Sequence, residues 1–239
     1  MGRAHEVRAK KMAATSAAKS SLYMRASKEI YIAAKSGVPD PNGNLALRSV
    51  LEKYKGQNIP RDVIDRAIKK AAGGDTENFE AGRYEGFGPG NTFVIVDTLS
   101  NNVRRAFDEV RNCFNKRGGH LGTPGSVSFN FVEAGLIIFA GDNRDEVEEN
   151  LVMSDVDVNE VTCEDGYIEV NVNPTAFQQA KDCLKEMGIE DFETCEITMI
   201  PNEYTKLTGE DAEKMHGLLD MLDEAEDVQA VYHNAEFED

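Results

Sequence analysis

The run Leu136-Ile137-Ile138-Phe139-Ala140 and the later run Val158-Asn159-Glu160-Val161-Thr162-Cys163-Glu164-Asp165-Gly166-Tyr167-Ile168-Glu169-Val170-Asn171-Val172 decide the fold. The first is a short continuous apolar stretch, as expected of a buried strand. The second alternates on both sides of Asp165-Gly166, a dipeptide that supplies the positive φ angles of a tight hairpin turn. Between them, Asp145 to Val152 reads as a helix. After them, Pro174 to Met187 reads as a second helix, opened by proline and closed by Gly188. Thr194 to Ile200 reads as a last strand. The order strand, helix, hairpin, helix, strand is the ferredoxin-like split βαβ.

Working outward, the C-terminal flank reads as a helix from Gly209 to Ala225 and a strand from Val228 to His233. Thr208, three residues before Asp211, resembles a capping box with Asp in place of Glu. On the N-terminal side, Gly86 to Gly90 reads as a loop and Phe93 to Val96 as a buried strand. Asn102 to Arg117 reads as a helix with Val103, Phe107, Val110 and Phe114 on its apolar face, ending at Gly118-Gly119. Val127, Phe129 and Phe131 alternate as a strand would. Residues 79–133 thus supply β-α-β and residues 205–239 supply α-β. The simplest assembly is one discontinuous α+β domain with the ferredoxin-like unit, residues 134–204, inserted in it.

Residues 1–78 have a different character. Residues 5–36 lack proline and internal glycine and are rich in Ala, Lys, Arg and Met, so they read as a helix stopped by Gly37 and Pro39. Leu22, Tyr23, Ile30, Tyr31 and Ile32 supply its packing side chains. Asp40 to Asn44 is a turn, and Asn44 is placed to cap a helix from Leu45 to about Gly56. Pro60 opens a third helix to Ala72. The expected fold class is α+β, a helical domain followed by two α+β domains.

Charge is unevenly divided along the chain. The formal charge is −17 over 239 residues. Yet residues 1–74 hold 15 Lys/Arg against 6 Asp/Glu, while residues 75–239 hold 11 against 37. A basic segment on an acidic body is an expected mark of nucleic-acid binding. Arg3, Arg8, Lys10, Lys11, Lys19, Arg25, Lys28 and Lys35 are opposed through residue 35 by Glu6 and Glu29 alone. Arg8, Lys11 and Lys19 can share one helix face. Lysine and arginine neutralise phosphates and release counterions, contacts that position a ligand without reading its sequence. A second cluster, Arg104, Arg105, Arg111, Lys116, Arg117 and His120, lies on one helix and the Gly-rich loop after it. The acidic helix carrying Asp220, Asp223, Glu224, Glu226 and Asp227 should repel nucleic acid and steer it toward the basic end.

Several strings, in order along nearly the whole chain, resemble the YebC/PmpR family. They are Met1-Gly2-Arg3, Ile59-Pro60-Arg61-Asp62 with Arg66-Ala67-Ile68-Lys69-Lys70, and Tyr84-Glu85-Gly86-Phe87-Gly88-Pro89-Gly90. Val110-Arg111, Asn115-Lys116, Gly118-Gly119, Leu121-Gly122 and Pro124-Gly125-Ser126-Val127 follow. Thr198-Met199-Ile200-Pro201, Asp227-Val228-Gln229 and Val231-Tyr232-His233-Asn234 complete the set. The resemblance implies transcriptional regulators related to mitochondrial translational activators, with a helical, a discontinuous α+β and an inserted α+β domain. Family members usually carry Lys-Trp near the start. Here Ala4-His5 stands there and the chain has no tryptophan. Either His5 takes the aromatic's role or that role is lost.

Other chemistries find no support. The four histidines and four cysteines show no metal spacing. Asp40-x-Asn42-x-Asn44 begins like a calcium loop, but Gly43 is misplaced and no Glu closes it. Gly86 to Gly90 precedes a strand and lacks the Lys of a phosphate-binding loop, and Gly125-Ser126 is not a nucleophile elbow. No run approaches the length of a membrane helix, and Met1 to Glu6 is no secretory signal. The expectation is a cytoplasmic, non-enzymatic regulator of gene expression without cofactor. Its partner is nucleic acid, either DNA or ribosomal RNA on the ribosome; in the latter case the resemblance implies a role in easing stalling on proline-rich sequences. The acidic domains are free to meet protein partners.

Overall fold

The computed structural model describes residues 16–73 and 77–237. Helix α1 is Ser16–Lys35; the earlier part of the expected helix lies outside the described residues. Helix α2, Leu45–Tyr54, is capped by Asn44, whose side chain accepts from the Leu47 amide at 3.0 Å. Helix α3, Arg61–Ala72, follows Pro60, as its sequence predicts. Ala26, Ile30, Ala33, Ala34, Leu47, Tyr54 and Ala67 form the core of this helical part. Each large aliphatic buried there contributes about 1.5–3 kcal/mol.

Strand β1 (Glu80–Phe87), strand β2 (Phe93–Ser100), helix α4 (Val103–Lys116) and strand β3 (His120–Leu121) come next. Strand β4 is Phe131–Ala140, followed by helix α5 (Arg144–Met153) and the hairpin of β5 (Val158–Glu164) and β6 (Tyr167–Val172). Helix α6 (Phe177–Glu186), strands β7 (Thr194–Pro201) and β8 (Thr205–Leu207), helix α7 (Gly209–Glu224), and strands β9 (Val228–His233) and β10 (Ala235–Phe237) complete the chain.

The described chain divides into two compact units. One, residues 132–200, has the sheet order β5-β6-β4-β7 with α5 and α6, the ferredoxin-like arrangement expected. Glu164 pairs with Tyr167 across Asp165 and Gly166, whose φ angles are +51° and +76°. Ile137, Phe139, Leu151, Ile168, Val170 and Leu184 form its core.

The other unit holds the helical part and a sheet of order β3-β1-β2-β9. Strand β9 pairs with β2, so the C-terminal tail returns to the sheet that begins near residue 80. Val94, Val96, Val110, Phe114, Met215, Leu218, Leu222 and Val228 pack between this sheet and helices α4 and α7.

Four expectations are corrected. Strand β1 was not expected, its Gly86 reading as the start of a loop; the strand forms because Gly86 lets the Phe114 ring approach. A Cβ there would stand 2.6 Å from Phe114 Cε1 and 2.8 Å from the His120 carbonyl oxygen. Gly86→Ala should therefore cost about 1–3 kcal/mol by thermal unfolding, while Gly43→Ala, whose Cβ meets nothing closer than 3.7 Å, should be near neutral. Second, Val127 and Phe129 are not in a strand: residues Ser128–Asn130 form a 3-10 turn and β4 starts at Phe131. The amides of Val127 and its neighbour Ser128 are drawn away by Glu85, as shown below. Third, Thr208 makes no side-chain cap hydrogen bond, so the capping box does not form. Fourth, Val103 and Phe107 are exposed rather than inward, at 45% and 37%.

Candidate nucleic-acid interface

Of the basic residues expected to grip nucleic acid, Arg3, His5, Arg8, Lys10 and Lys11 lie outside the described residues. Lys19 is exposed near the start of α1. Arg25 and Lys28 are not free. Arg25 reaches the last turn of α7, where Nη2 donates to the carboxylate of Asp223 at 2.8 Å and also to its backbone carbonyl. Lys28 donates to the Asp227 carboxylate at 2.8 Å and to the carbonyls of Glu226 at 2.9 Å and Leu99 at 3.2 Å. Ser21 donates to the Glu224 carbonyl at 3.0 Å. One face of α1 thus satisfies the orphan carbonyls at the C-terminal end of α7, where positive charge is favoured. Lys35, exposed, donates to the Glu77 carbonyl and the Tyr31 hydroxyl.

Asp227 is the hub. Its side chain is 1% exposed. It accepts from Lys28, from the Ser100 hydroxyl at 2.8 Å, and from Arg105 Nε at 2.9 Å and Nη2 at 3.0 Å. Two residues from the two basic clusters are therefore brought together on a carboxylate of the protein itself. Burial alone would raise the Asp227 carboxyl, but the donors Lys28, Ser100 and Arg105 outweigh it and hold the group below the usual carboxylate range. The same bond raises Arg105 further. Nearby Glu109 is raised, first by burial and then by the charge of Asp227. The expectation that Arg25, Lys28 and Arg105 face phosphate is thus corrected. They fasten α1 to the α+β part of this unit, a role invisible without knowing where Asp227 lies.

The rest of the second cluster faces outward. Arg104, Arg111, Lys116 and Arg117 are exposed on α4 and just past its end. None forms a salt bridge with any described residue. Arg117 lies over Gly217 of α7, with Nε 3.4 Å from Met221 Sδ. Asn102 caps the helix by accepting from the Arg105 amide at 3.1 Å. Asp108, half-buried, is also on the outward side.

Beyond α4, the loop 122–128 is pinned by a residue the sequence reading missed. Glu85 is 7% exposed. Its carboxylate accepts from the amides of Gly125 at 2.7 Å and of Val127 and Ser128 at 2.8 Å each. Burial pushes this group up, and the three amides more than reverse it, leaving it below its ordinary value. The signal was present in the paired strings Tyr84-Glu85-Gly86 and Pro124 to Val127, though nothing in them alone says that they meet. A cleft of about 360 Å³ opens between the Gly88 to Asn91 turn, Gly118, His120, Asp211 and Lys214. His120 stacks on Phe87 with ring centroids 5.2 Å apart, and Lys214 is paired with Glu210 at 2.7 Å. Among the described residues no group of three His, Cys, Asp or Glu side chains could hold a metal ion, and no helix is long and apolar enough to cross a membrane.

The architecture is that of an α+β protein in which a helical N-terminal segment is fastened to a body interrupted by a ferredoxin-like sheet. Family models give this architecture an identity. Residues 3–74 match the TACO1/YebC protein N-terminal domain and residues 79–235 the TACO1/YebC second and third domain. The chain belongs to the TACO1/YebC family. It is 51% identical over 237 residues to the probable transcriptional regulatory protein Mfl546 of Mesoplasma florum, covering 98% of this chain and 99% of that one. It is 47% identical to the probable transcriptional regulatory protein Mmwyl1_2868 of a Marinomonas species, over 99% of this chain and 100% of the other. The crystal structure of a conserved hypothetical protein of Aquifex aeolicus, Aq1575, superposes with a TM-score of 0.77 at 32% identity, covering 92% of this chain and 91% of that one.

Proposed function

We infer that the protein is a non-enzymatic regulator of gene expression that binds DNA through its basic N-terminal helical segment. The chain's relatives in Mesoplasma florum and Marinomonas carry names of transcriptional regulators. The observation that carries the reading is the division of charge, 15 Lys/Arg against 6 Asp/Glu before residue 75 and 11 against 37 after it. The internal pairing of Arg25, Lys28 and Arg105 narrows the grip without removing it. Arg3, Arg8, Lys10, Lys11 and Lys19, with His5 beside them, form the primary contact. Arg104, Arg111, Lys116 and Arg117 form a second. Arg25, Lys28 and Arg105 position the first segment. The three-domain division expected from the sequence is the frame in which we place these roles.

Ribosomal RNA is the second reading, and α1 favours it. Residues Ser16–Lys35 contain no Asn or Gln, the side chains that read adenine edges in a major groove. A helix fastened by Arg25 and Lys28 and lacking those amides suits a ligand recognised by shape.

Neutralising Arg8, Lys10, Lys11 and Lys19 together tests the grip. Binding to duplex DNA should weaken, and the slope of log affinity against log salt should flatten by about 0.9 per lost phosphate contact. An unchanged slope rejects the N-terminal grip. Co-sedimentation with ribosomes, set against chromatin occupancy in the same cells, decides between the two polyanions.

A further inference from the structure

We propose that the outward flank of α4 is a binding site for an unpaired nucleobase, with Phe107 as the stacking platform and Arg104 and Arg111 as the flanking phosphate contacts. It rests on the nucleic-acid-binding reading and specifies the ligand class of the second contact.

The sequence pattern places Phe107 among inward apolar residues, yet the ring is 37% exposed. It is held rather than loose. The Tyr84 ring lies 5.8 Å away, tilted by 57°, and the Tyr84 hydroxyl meets the Val103 carbonyl at 3.4 Å. The guanidinium carbon of Arg111 lies 5.7 Å from the Phe107 centroid. Aromatic rings and guanidinium planes are the two surfaces on which extruded bases stack, and here they adjoin.

The charges beside the ring have no acidic partner among the described residues. Arg105, one residue from Arg104, is drawn inward to Asp227. Arg104 and Arg111 form no salt bridge with any described residue. Seven residues separate them, about 10 Å along the helix axis, with the ring on the flank between. Asp108, on the same outward side, disfavours a phosphate midway. A base, uncharged and planar, is the group that fits there. A uniform duplex presents no such base; a single strand, loop or bulge does, in RNA or DNA.

The test uses the full chain with fluorescein-labelled single strands of about 12 nucleotides, RNA and DNA, and blunt duplexes of the same sequence, by anisotropy. Phe107→Ala should weaken single-strand binding about tenfold and leave duplex binding unchanged, with circular dichroism confirming the fold. Phe107→Tyr, which keeps the platform, should retain wild-type affinity and covers the case in which alanine disturbs the helix. The pair Arg104→Ala and Arg111→Ala should weaken both ligands and reduce the single-strand salt slope by about 0.7 per contact. Comparison of the RNA and DNA strands shows which backbone the site prefers. Equal single-strand affinity for wild type and Phe107→Ala, with the N-terminal quadruple variant still defective, overturns the platform and leaves the grip standing. Wild-type protein that binds none of the four ligands overturns both.

Discussion

Asp227→Ala is expected to destabilise the protein by about 3–5 kcal/mol, with a fall in melting temperature on the order of 10 °C. The carboxylate is 1% exposed and neutralises two cations. Its loss leaves the Lys28 ammonium, 11% exposed, with the Leu99 and Glu226 carbonyls and the Phe79 ring. Removing one partner of a buried ion group strands the other, which is why the effect exceeds the net worth of the pair. Asp227→Asn keeps the shape and one acceptor oxygen, and should fall between wild type and alanine. Lys28→Met combined with Asp227→Ala should cost less than the sum of the single changes, the mark of direct coupling. A melting temperature for Asp227→Ala within about 1 °C of wild type would show that the hub does not hold the helical segment in place.

Glu85→Ala has the second largest expected effect, about 3 kcal/mol, because it leaves the amides of Gly125, Val127 and Ser128 without their acceptor. Hydrogen exchange at those three amides should accelerate well before global unfolding; retained protection would mean another acceptor replaces Glu85. Glu85 and Asp227 also set the response to acid. Both carboxyls are depressed in the folded protein. A depressed group lends stability that is complete above its unfolded value, about 4, and lost as pH falls through the folded value. The contribution of Glu85 and Asp227 to the melting temperature should therefore be complete above about pH 5 and fall away below about pH 4. The drop should be shallower in Asp227→Asn and in Glu85→Gln.

Local rules carried the sequence reading a long way. The ferredoxin-like order followed from Asp165-Gly166, Pro174 and Gly188, all of which act within a few residues of themselves. The Asn44 cap was legible for the same reason. What failed was non-local. Strand β1 needs Phe114 to fill the space over Gly86. The alternation of Val127, Phe129 and Phe131 gave way to a carboxylate 40 or more residues upstream. Composition identified a basic front end, but not that Arg25 and Lys28 are claimed by acids near the other end of the chain. Nor did it show that Phe107 faces out.

The Lys28–Asp227 bond spans 199 residues and the Arg105–Asp227 bond 122. A chain made from its amino end presents Lys28 long before the carboxylate that pairs with it, and domains generally fold in the order they are made. Until Asp223 and Asp227 are made, Arg25, Lys28 and Arg105 lack the carboxylates that pair with them in the fold. That face therefore carries more net positive charge before the segment holding Asp223 and Asp227 is made than after it.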